Sequence, residues 1–559
     1  MSKKYDVCIV GSGAGAGPVA YELAKAGRSV VVLEKGPWIT TADFNKDEIV
    51  SSRRDVYTPR RLDEPQVVEW KGDDGKFHAA SNAHGGINLW NGNCVGGSSN
   101  FMSAYFHRKK PNDFRLLSTY GPIKGANVVD WPIPYNEMEP YYTKVEQVVG
   151  VSGKVVKHSQ LEPRSTADFP FPPLAVNVVS SWIDKAAREI GFETIPLPRG
   201  ILSKPKGHRN ACVYSNYCGS YGCSSDAKGS SRAALLNRAL DTGNCTILAY
   251  AKVFHLETNG RGKVIRAHYH TPDIKAHTIE AKVFVVAAQA IETSRLLLLS
   301  KNKEFEHGLA NNNYQVGKNL IFSGGGVGSG YFHKEDLSED AFNKLMQPGL
   351  FVNRSIQQWY EIDDEQFGNK AKGGSIDFLF EHANGVGKAI RQKWDDKGYL
   401  VYGSDYKKKI YNYFTRQRKL TFEVFNDWLP TDNCFVNIDP MVKDRWGVPV
   451  AKIRIDNHPH DLKVGKYLAG KAEKVLRQMG ARDVSSGISG SPPPNLQAGG
   501  CRFGNDPKTS VLDKNCKAHY VDNLYVTDGS FMPTGGSVPY TWTIYANSFR
   551  VADKILEHF

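Results

Sequence analysis

The sequence predicts an α/β fold (α+β overall) of two or more domains, opening on a Rossmann-like nucleotide-binding unit. Three observations carry this. The stretch YDVCIVGSGAGAGPVAYELAKAGRSVVVLEKG (5–36) runs from an apolar strand through a glycine turn and a helix to a second strand. The chain has 559 residues, more than one ordinary hydrophobic core holds. Its 41% hydrophobic and 23% charged residues are the proportions of a globular domain.

Within the opening stretch, Tyr5 to Val10 is β-branched and apolar, and Pro18 to Ala26 carries helix formers. Ser29 to Leu33 is the second strand and ends at Glu34. This is the βαβ dinucleotide fingerprint. Gly11 permits the tight turn, Gly13 lets the backbone approach a pyrophosphate, and Gly15 continues the glycine cluster. Ala16 is small enough for close helix–strand packing. Unpaired N–H groups at the helix start face the phosphates, and Glu34 stands where a carboxylate accepts from a ribose diol. NAD and FAD are not separated by this stretch alone.

The formal charge of +13 comes from Lys and Arg scattered along the chain. A solvated basic surface is therefore expected rather than a nucleic-acid footprint. An anionic protein partner or membrane headgroups stay compatible with it. MSKKYDV runs straight into the first strand, leaving no room for a signal peptide. Apolar runs such as Val283 to Ala288 are too short to span a bilayer. The chain alone is thus expected in the cytoplasm, unless a partner carries it elsewhere. Nine cysteines, an odd number, do not form an evident disulfide framework.

After Glu34 the chain reads as polar loop to about Asn82. HGGINLWNGNCVGGSSNFMSAYFHRKKPNDF (84–114) is rich in Gly, Asn and Ser, a backbone able to wrap a ligand and offer N–H donors. Residues 128–153 read as a turn and a helix, and Val178 to Gly191 as a helix. Strand-like segments follow at Thr246 to Leu256 and Val264 to His270. Ala281 to Ala288 leads into the helical IETSRLLLLSKN. A helix is expected near Asp461 to Met479, then a strand at Leu524 to Thr527 and a final helix from Tyr540 to His558.

Three segments together resemble the glucose-methanol-choline family of FAD oxidoreductases. They are the N-terminal fingerprint with Glu34, NGNCVGGSSNFMSAYFHR, and VDNLYVTDGSFMPTGGSVPYTWTIYANSFRVADKI. VVAAQAIETSRLLL is similar to the family's inner FAD-domain strand and helix, with Gln289 where glycine is usual. The resemblance covers essentially the whole chain. It implies a discontinuous FAD domain (1–106, 230–320, 491–559) and a substrate domain with an antiparallel sheet (107–229, 321–490). It also implies FAD contacts from Asn93, Gly96, Gly97, Ser98, Asn100, Val253, Asp528, Gly529 and Thr541. The final helix would aim its N-terminus at the flavin ring, where reduction adds negative charge. VVDWPIPYNEMEPYY, the cysteine cluster and NIDPMVKDRWGVPV are similar to the bacterial gluconate, fructose, glucose and glucoside dehydrogenases. That branch oxidises sugars, glycosides or sugar acids and passes electrons to a cytochrome. A small companion subunit there often carries an export signal, so a periplasmic destination is compatible.

Cys212, Cys218 and Cys223 fall in a Gly- and Ser-rich loop at about 207–228. Gathered thiolates suit an iron–sulfur cluster; a zinc site would need a fourth ligand such as His208; three unligated cysteines are the remaining reading. The resemblance implies a cluster of the three-iron, four-sulfur type, although the second gap is one residue longer than usual. The family's histidine slot before the GTCRMG-like motif holds Leu496, flanked by Asn495 and Gln497. The partner slot falls on Val538 or Pro539, before Tyr540. Gln497 can hold a hydroxyl but cannot be a general base, and Tyr540 would need a much lowered pKa. His84, His107, His458 and His460 are the histidines available to reach the site instead.

Overall fold

The structure, a computed structural model, describes residues 4–48, 60–72, 74–488, 490 and 496–559. Its first sheet is built on the strand Lys4–Val10, which pairs in parallel with Val30–Leu33 on one side and Ala276–Val286 on the other. Val7, Cys8 and Ile9 are buried beside Val30, Val31, Val32, Val283, Phe284 and Val285. A strand covered on both faces needs no polar alternation, which is why these segments read as continuous apolar runs. Cys245–Leu248 extends the parallel set beyond Val30–Leu33. The long strand Ala276–Val286 shares its other edge between two neighbours. Its first half pairs antiparallel with Val264–His270, and its end pairs in parallel with Leu524–Val526.

The expected strand at Thr246 to Leu256 is two strands, Cys245–Leu248 and Lys252–Thr258. The chain turns between them through Tyr250 at φ +60°. Composition missed this break because no glycine or proline marks it. The segment between Glu34 and Asn82 is also more ordered than expected. Val67–Lys71 and Phe77–Ser81 form a hairpin that pairs in parallel with the distant Pro449–Ile455, itself paired with Phe435–Lys443. A strand of five residues recruited by a partner hundreds of residues away leaves too short a pattern to read.

A second sheet is antiparallel, in the order Arg482–Ile488, Gly326–His333, Gln417–Asp427, Gly374–Phe380, Arg354–Ile356, Ile195–Pro196. One face packs on the helix Pro459–Gln478, whose buried Val464, Leu468, Ala472, Val475 and Leu476 recur every three or four residues. Each such Val or Leu contributes about 1.5–3 kcal/mol by burial. The final helix, Thr541–Leu556, lies between Gly17–Lys25 and Tyr135–Val145 and is almost wholly buried. No helix among the described residues is long and apolar enough to cross a membrane.

Candidate active site

A cavity beside the parallel sheet runs from the glycine turn to the start of the final helix. Its walls come from residues 10–15, 33–35, 90–92, 97–99, 101–102 and 251–254, and from within 287–299, 496–497, 528–529 and 540–544. Gly11 holds φ +92°, and a Cβ there would meet the Ala287 carbonyl oxygen at 2.4 Å. A Cβ on Gly13 would meet nothing within 4 Å, because that face opens on the cavity. Gly15 lines the cavity too, and its Cβ would lie 2.6 Å from the Asp528 nitrogen. Gly11 and Gly15 thus permit close backbone contacts with Ala287 and Asp528, while Ala16 is buried behind them and does not line the cavity.

Glu34 is buried on the cavity wall. Its Oε2 accepts from Ser12 Oγ at 2.5 Å and its Oε1 from the Gly36 N–H at 2.9 Å. Burial pushes the carboxyl up, and these donors pull it back. Each oxygen can accept twice, so capacity remains for a diol. Ser12 Oγ also accepts from the Gly96 N–H at 2.9 Å, tying the first turn to the glycine-rich loop. In that loop Gly97 and Ser98 line the cavity. Asn100 Nδ2 donates to the Val95 and Gly97 carbonyls at 2.9 and 3.2 Å. Asn93 lies against Gly36, whose Cβ would sit 2.1 Å from the Asn93 oxygen. Asn93, Gly96 and Asn100 thus brace the wall from outside the cavity.

Val253, Asp528, Gly529 and Thr541 all line it. The Asp528 carboxylate accepts from the Ser530 N–H at 2.8 Å, the Gln289 N–H at 3.1 Å and the Thr293 hydroxyl. It is saturated by protein, so what it presents to the cavity is the adjoining backbone. Gln289 adopts φ +80°, the region that favours the usual glycine. Its Oε1 accepts from the Ile291 N–H at 3.0 Å and caps the helix Ala290–Leu299. At Thr541 no side chain caps the final helix. Its first N–H groups and positive dipole end stand at the cavity wall, where they suit an anionic ring edge or oxyanion. The donor set, the carboxylate and the open face above Gly13 fit FAD.

At the other end of the cavity lies an ion cluster that no sequence motif signalled. Lys35 pairs with Glu64 at 2.9 Å, Lys252 with Asp444 at 2.5 Å, and Arg295 with Asp444 at 2.7 Å. Burial opposes ionisation of Glu64, but Lys35 and Lys252 outweigh it and hold the carboxyl down to about 2.

At the reacting end, Leu496 and Gln497 line the cavity, and Gln497 Nε2 donates to the Trp90 carbonyl at 3.3 Å. Asn495 lies outside the described residues. Tyr540 also lines the cavity, but its hydroxyl donates to the Phe322 carbonyl, and burial pushes the phenol far above its usual value. That hydroxyl is a committed donor and is not poised to take a proton. None of the four candidate histidines lines the cavity. His107 is buried with Nε2 3.2 Å from Asp377 and Nδ1 3.1 Å from Gln357 Nε2. His458 contacts the Lys124 carbonyl at 3.0 Å and caps the helix Pro459–Gln478, in whose first turn His460 lies; His84 is exposed in a short turn.

Cys212, Cys218 and Cys223 line a second cavity together with Ser103, Tyr105 and Arg199. Lys228 Nζ donates to the carbonyls of Cys218, Tyr221 and Asn100 at 2.9, 2.8 and 3.1 Å, and the Ser220 N–H donates to the Phe101 carbonyl at 2.9 Å. The cysteine loop is thereby clamped to the segment whose Phe101 and Met102 line the first cavity. No group of three His, Cys, Asp or Glu among the described residues stands where it would hold one metal ion. His208, the fourth ligand considered for a zinc site, is exposed and does not line the cysteine cavity.

Sheet, fingerprint and cavity define a flavoprotein-type dinucleotide-binding oxidoreductase. The chain belongs to the GMC oxidoreductase family, whose models match residues 172–322 and 430–548. It is 29% identical to 2-methyl-1,2-propanediol dehydrogenase from Mycolicibacterium austroafricanum, over 99% of this chain and 95% of that one. It is 27% identical to the fructose dehydrogenase large subunit of Gluconobacter japonicus, over 99% and 97%. The fold superposes on pyridoxine 4-oxidase from Mesorbium loti with a TM-score of 0.62 at 17% identity, over the full length of both. The protein is an FAD-dependent enzyme that acts on CH–OH groups, of a family whose members include dehydrogenases and oxidases.

Proposed function

We propose that the protein is a dehydrogenase that oxidises a secondary hydroxyl of a sugar, glycoside or sugar acid. Its electrons would leave through an iron–sulfur cluster on Cys212, Cys218 and Cys223 to a cytochrome-like acceptor. The observation that carries this reading is the shared wall. Phe101 and Met102 face the flavin cavity, Ser103 and Tyr105 face the cysteine cavity, and Lys228 holds the two together. A sulfide-bridged cluster spans more space than a single ion, so three thiols on one cavity suit it even where they would not close on one metal.

Bound FAD supplies a hydride acceptor. This chain's residues position the substrate and the charge. Gln497 holds the substrate hydroxyl at the cavity wall, Leu496 and Trp90 limit water there, and the uncapped N–H groups at Thr541 favour negative charge on the ring. Relatives named as fructose dehydrogenase large subunit and gluconate 2-dehydrogenase flavoprotein support a sugar or sugar acid and a companion subunit. Export with such a subunit would take the chain to the periplasm.

The test is anaerobic flavin bleaching against a panel of glycosides, polyols and sugar acids, with iron analysis on the same sample. Cys218→Ala should lose cluster iron, keep its flavin and stop reducing a cytochrome. An iron-free protein that turns over fully, releasing peroxide in step with substrate oxidation, would instead be an oxidase with structural cysteines.

A further inference from the structure

Between Asn384 and Lys419 the chain buries no residue at all. The excursion contains two helices, Gly385–Arg391 and Gly403–Thr415, and neither has a buried side chain. A 13-residue helix in a globular protein ordinarily buries one face. Here Trp394 is 47% exposed, Leu400 56%, Tyr399 69% and Tyr402 77%, with Val386, Ile390, Tyr411 and Phe414 also open. Clustered exposure of this size marks an interaction surface, whereas scattered single residues would not.

The excursion is internally braced. Tyr406 Oη donates to the Ala389 carbonyl at 3.0 Å, Lys409 Nζ to the Trp394 carbonyl at 2.6 Å, and the Val401 N–H to the Lys393 carbonyl at 2.7 Å. Tyr413 Oη donates to Glu381 at 2.7 Å and ties the second helix to the sheet. The surface therefore has a set shape.

Its charge is lopsided. Residues 384–416 hold eight Lys and Arg against three Asp, a net of +5. Lys407, Lys408 and Lys409 are consecutive, so they spread around the helix and stand among Tyr411 and Phe414. An interfacial membrane helix segregates its charges from its rings; here exposed aromatic side chains, which are enriched in protein-binding faces, stand among lysines whose charge would steer an acidic partner.

The root of the excursion touches the cysteine loop. The His382 ring packs on Gly219, where a Cβ would lie 2.0 Å from the imidazole, and Gly219 adjoins Cys218. Tyr221 Oη donates to the Ala383 carbonyl at 2.9 Å. Glu48 accepts from Tyr217 Oη at 3.1 Å and from the Val386 N–H at 2.8 Å. Glu381 and His382 line the cysteine cavity.

From this we infer that residues 384–416 form the docking face for a small acidic, electron-accepting protein. The inference rests on the proposed electron exit through the cysteine cavity. Oxidation of the hydroxyl to a carbonyl releases two electrons and two protons, so two one-electron acceptor molecules dock and are reduced per turnover.

The test uses the flavin-loaded protein and two probes, an acidic c-type cytochrome and vesicles of phosphatidylserine. The variant is Trp394→Ser, Tyr402→Ser, Lys407→Ser and Lys408→Ser together, with Tyr402→Ser alone as a milder companion. The wild type should bind the cytochrome, with affinity falling as salt rises. The fourfold variant should bind roughly tenfold or more weakly, with unchanged flavin content and unchanged turnover on a small dye acceptor. Absent binding by the wild type, or equal binding by variant and wild type, overturns the proposal. So does vesicle binding that the variant loses while its cytochrome binding persists, which would make the face a membrane anchor. Cytochrome binding that depends on the face, combined with equal cytochrome reduction by Cys218→Ala, would leave docking intact and remove only the relay.

Discussion

Gly11 and Gly13 are two residues apart and answer to different constraints. At Gly11 both the positive φ and the Ala287 oxygen exclude a side chain. Gly11→Ala should therefore destabilise the folded protein itself, by about 1–3 kcal/mol for the strained backbone alone, read as a lower melting temperature without flavin. At Gly13 a Cβ meets no protein atom and enters only the cavity. Gly13→Ala should melt like the wild type and bind FAD more weakly, because the Cβ takes the space that closest backbone approach requires. Equal flavin binding by both proteins would remove Gly13 from the site. Glu34→Gln should weaken FAD binding by about 1.5–3 kcal/mol, the range for hydrogen bonds to a charged group, measured by flavin retention on dilution. Glu64 carries a pH dependence. Its folded pKa of about 2 lies below the ordinary carboxylate value. Its contribution is thus present above pH ~4.5 and lost as pH falls through that value toward 2. Melting temperature should fall more steeply with acid in the wild type than in Glu64→Gln.

The loop before the final helix shows how an element is positioned by residues no motif contains. Lys109 Nζ donates to the Gly535 carbonyl, and Asp427 Oδ1 accepts from the Gly536 N–H at 2.5 Å. Lys372 pairs with Asp113 at 2.8 Å, and Tyr360 Oη donates to the same carboxylate at 2.7 Å. Two lysines and two aspartates, all buried, come from three separate segments (109–113, 372 and 427) and hold the turn that leads into Thr541. Burial lowers Lys109 to about 8, although Asp113 and Asp427 push back. Because the folded pKa is below the unfolded one, protonation costs stability below pH ~8, and that cost is relieved as pH rises toward ~10.4. The wild type should gain melting temperature over that window, and Lys109→Met should not. Parallel curves for the two proteins would show that Lys109 does not titrate there.

At the scale of the whole molecule, one cavity is walled by segments from residue 10 to residue 544. A ligand that fills it binds only the assembled state, so bound FAD should stabilise the fold by about 4 kcal/mol at a thousandfold excess over Kd. Melting temperature should rise with FAD concentration, and a constant value across that range would place the cofactor elsewhere. Residues 5–36 declared the nucleotide site by themselves, since a βαβ unit is local and its glycines report backbone geometry directly. Glu34 was legible for the same reason, at the end of the second strand, whereas Asp528 and Thr541 were named only by the family resemblance of the C-terminal segment. What adjacency along the chain cannot express was decided by the tertiary structure. The hairpin Val67–Lys71/Phe77–Ser81 exists because Pro449–Ile455 offers it an edge. His107 is removed from the site by Asp377, and Tyr540 is committed to Phe322. The ion clusters at Glu64 and Lys109 assemble from segments far apart in sequence. Local dihedral preferences and short periodicities are written in neighbouring residues; burial, and the pairing of charge that burial demands, depend on which distant segments the fold brings together.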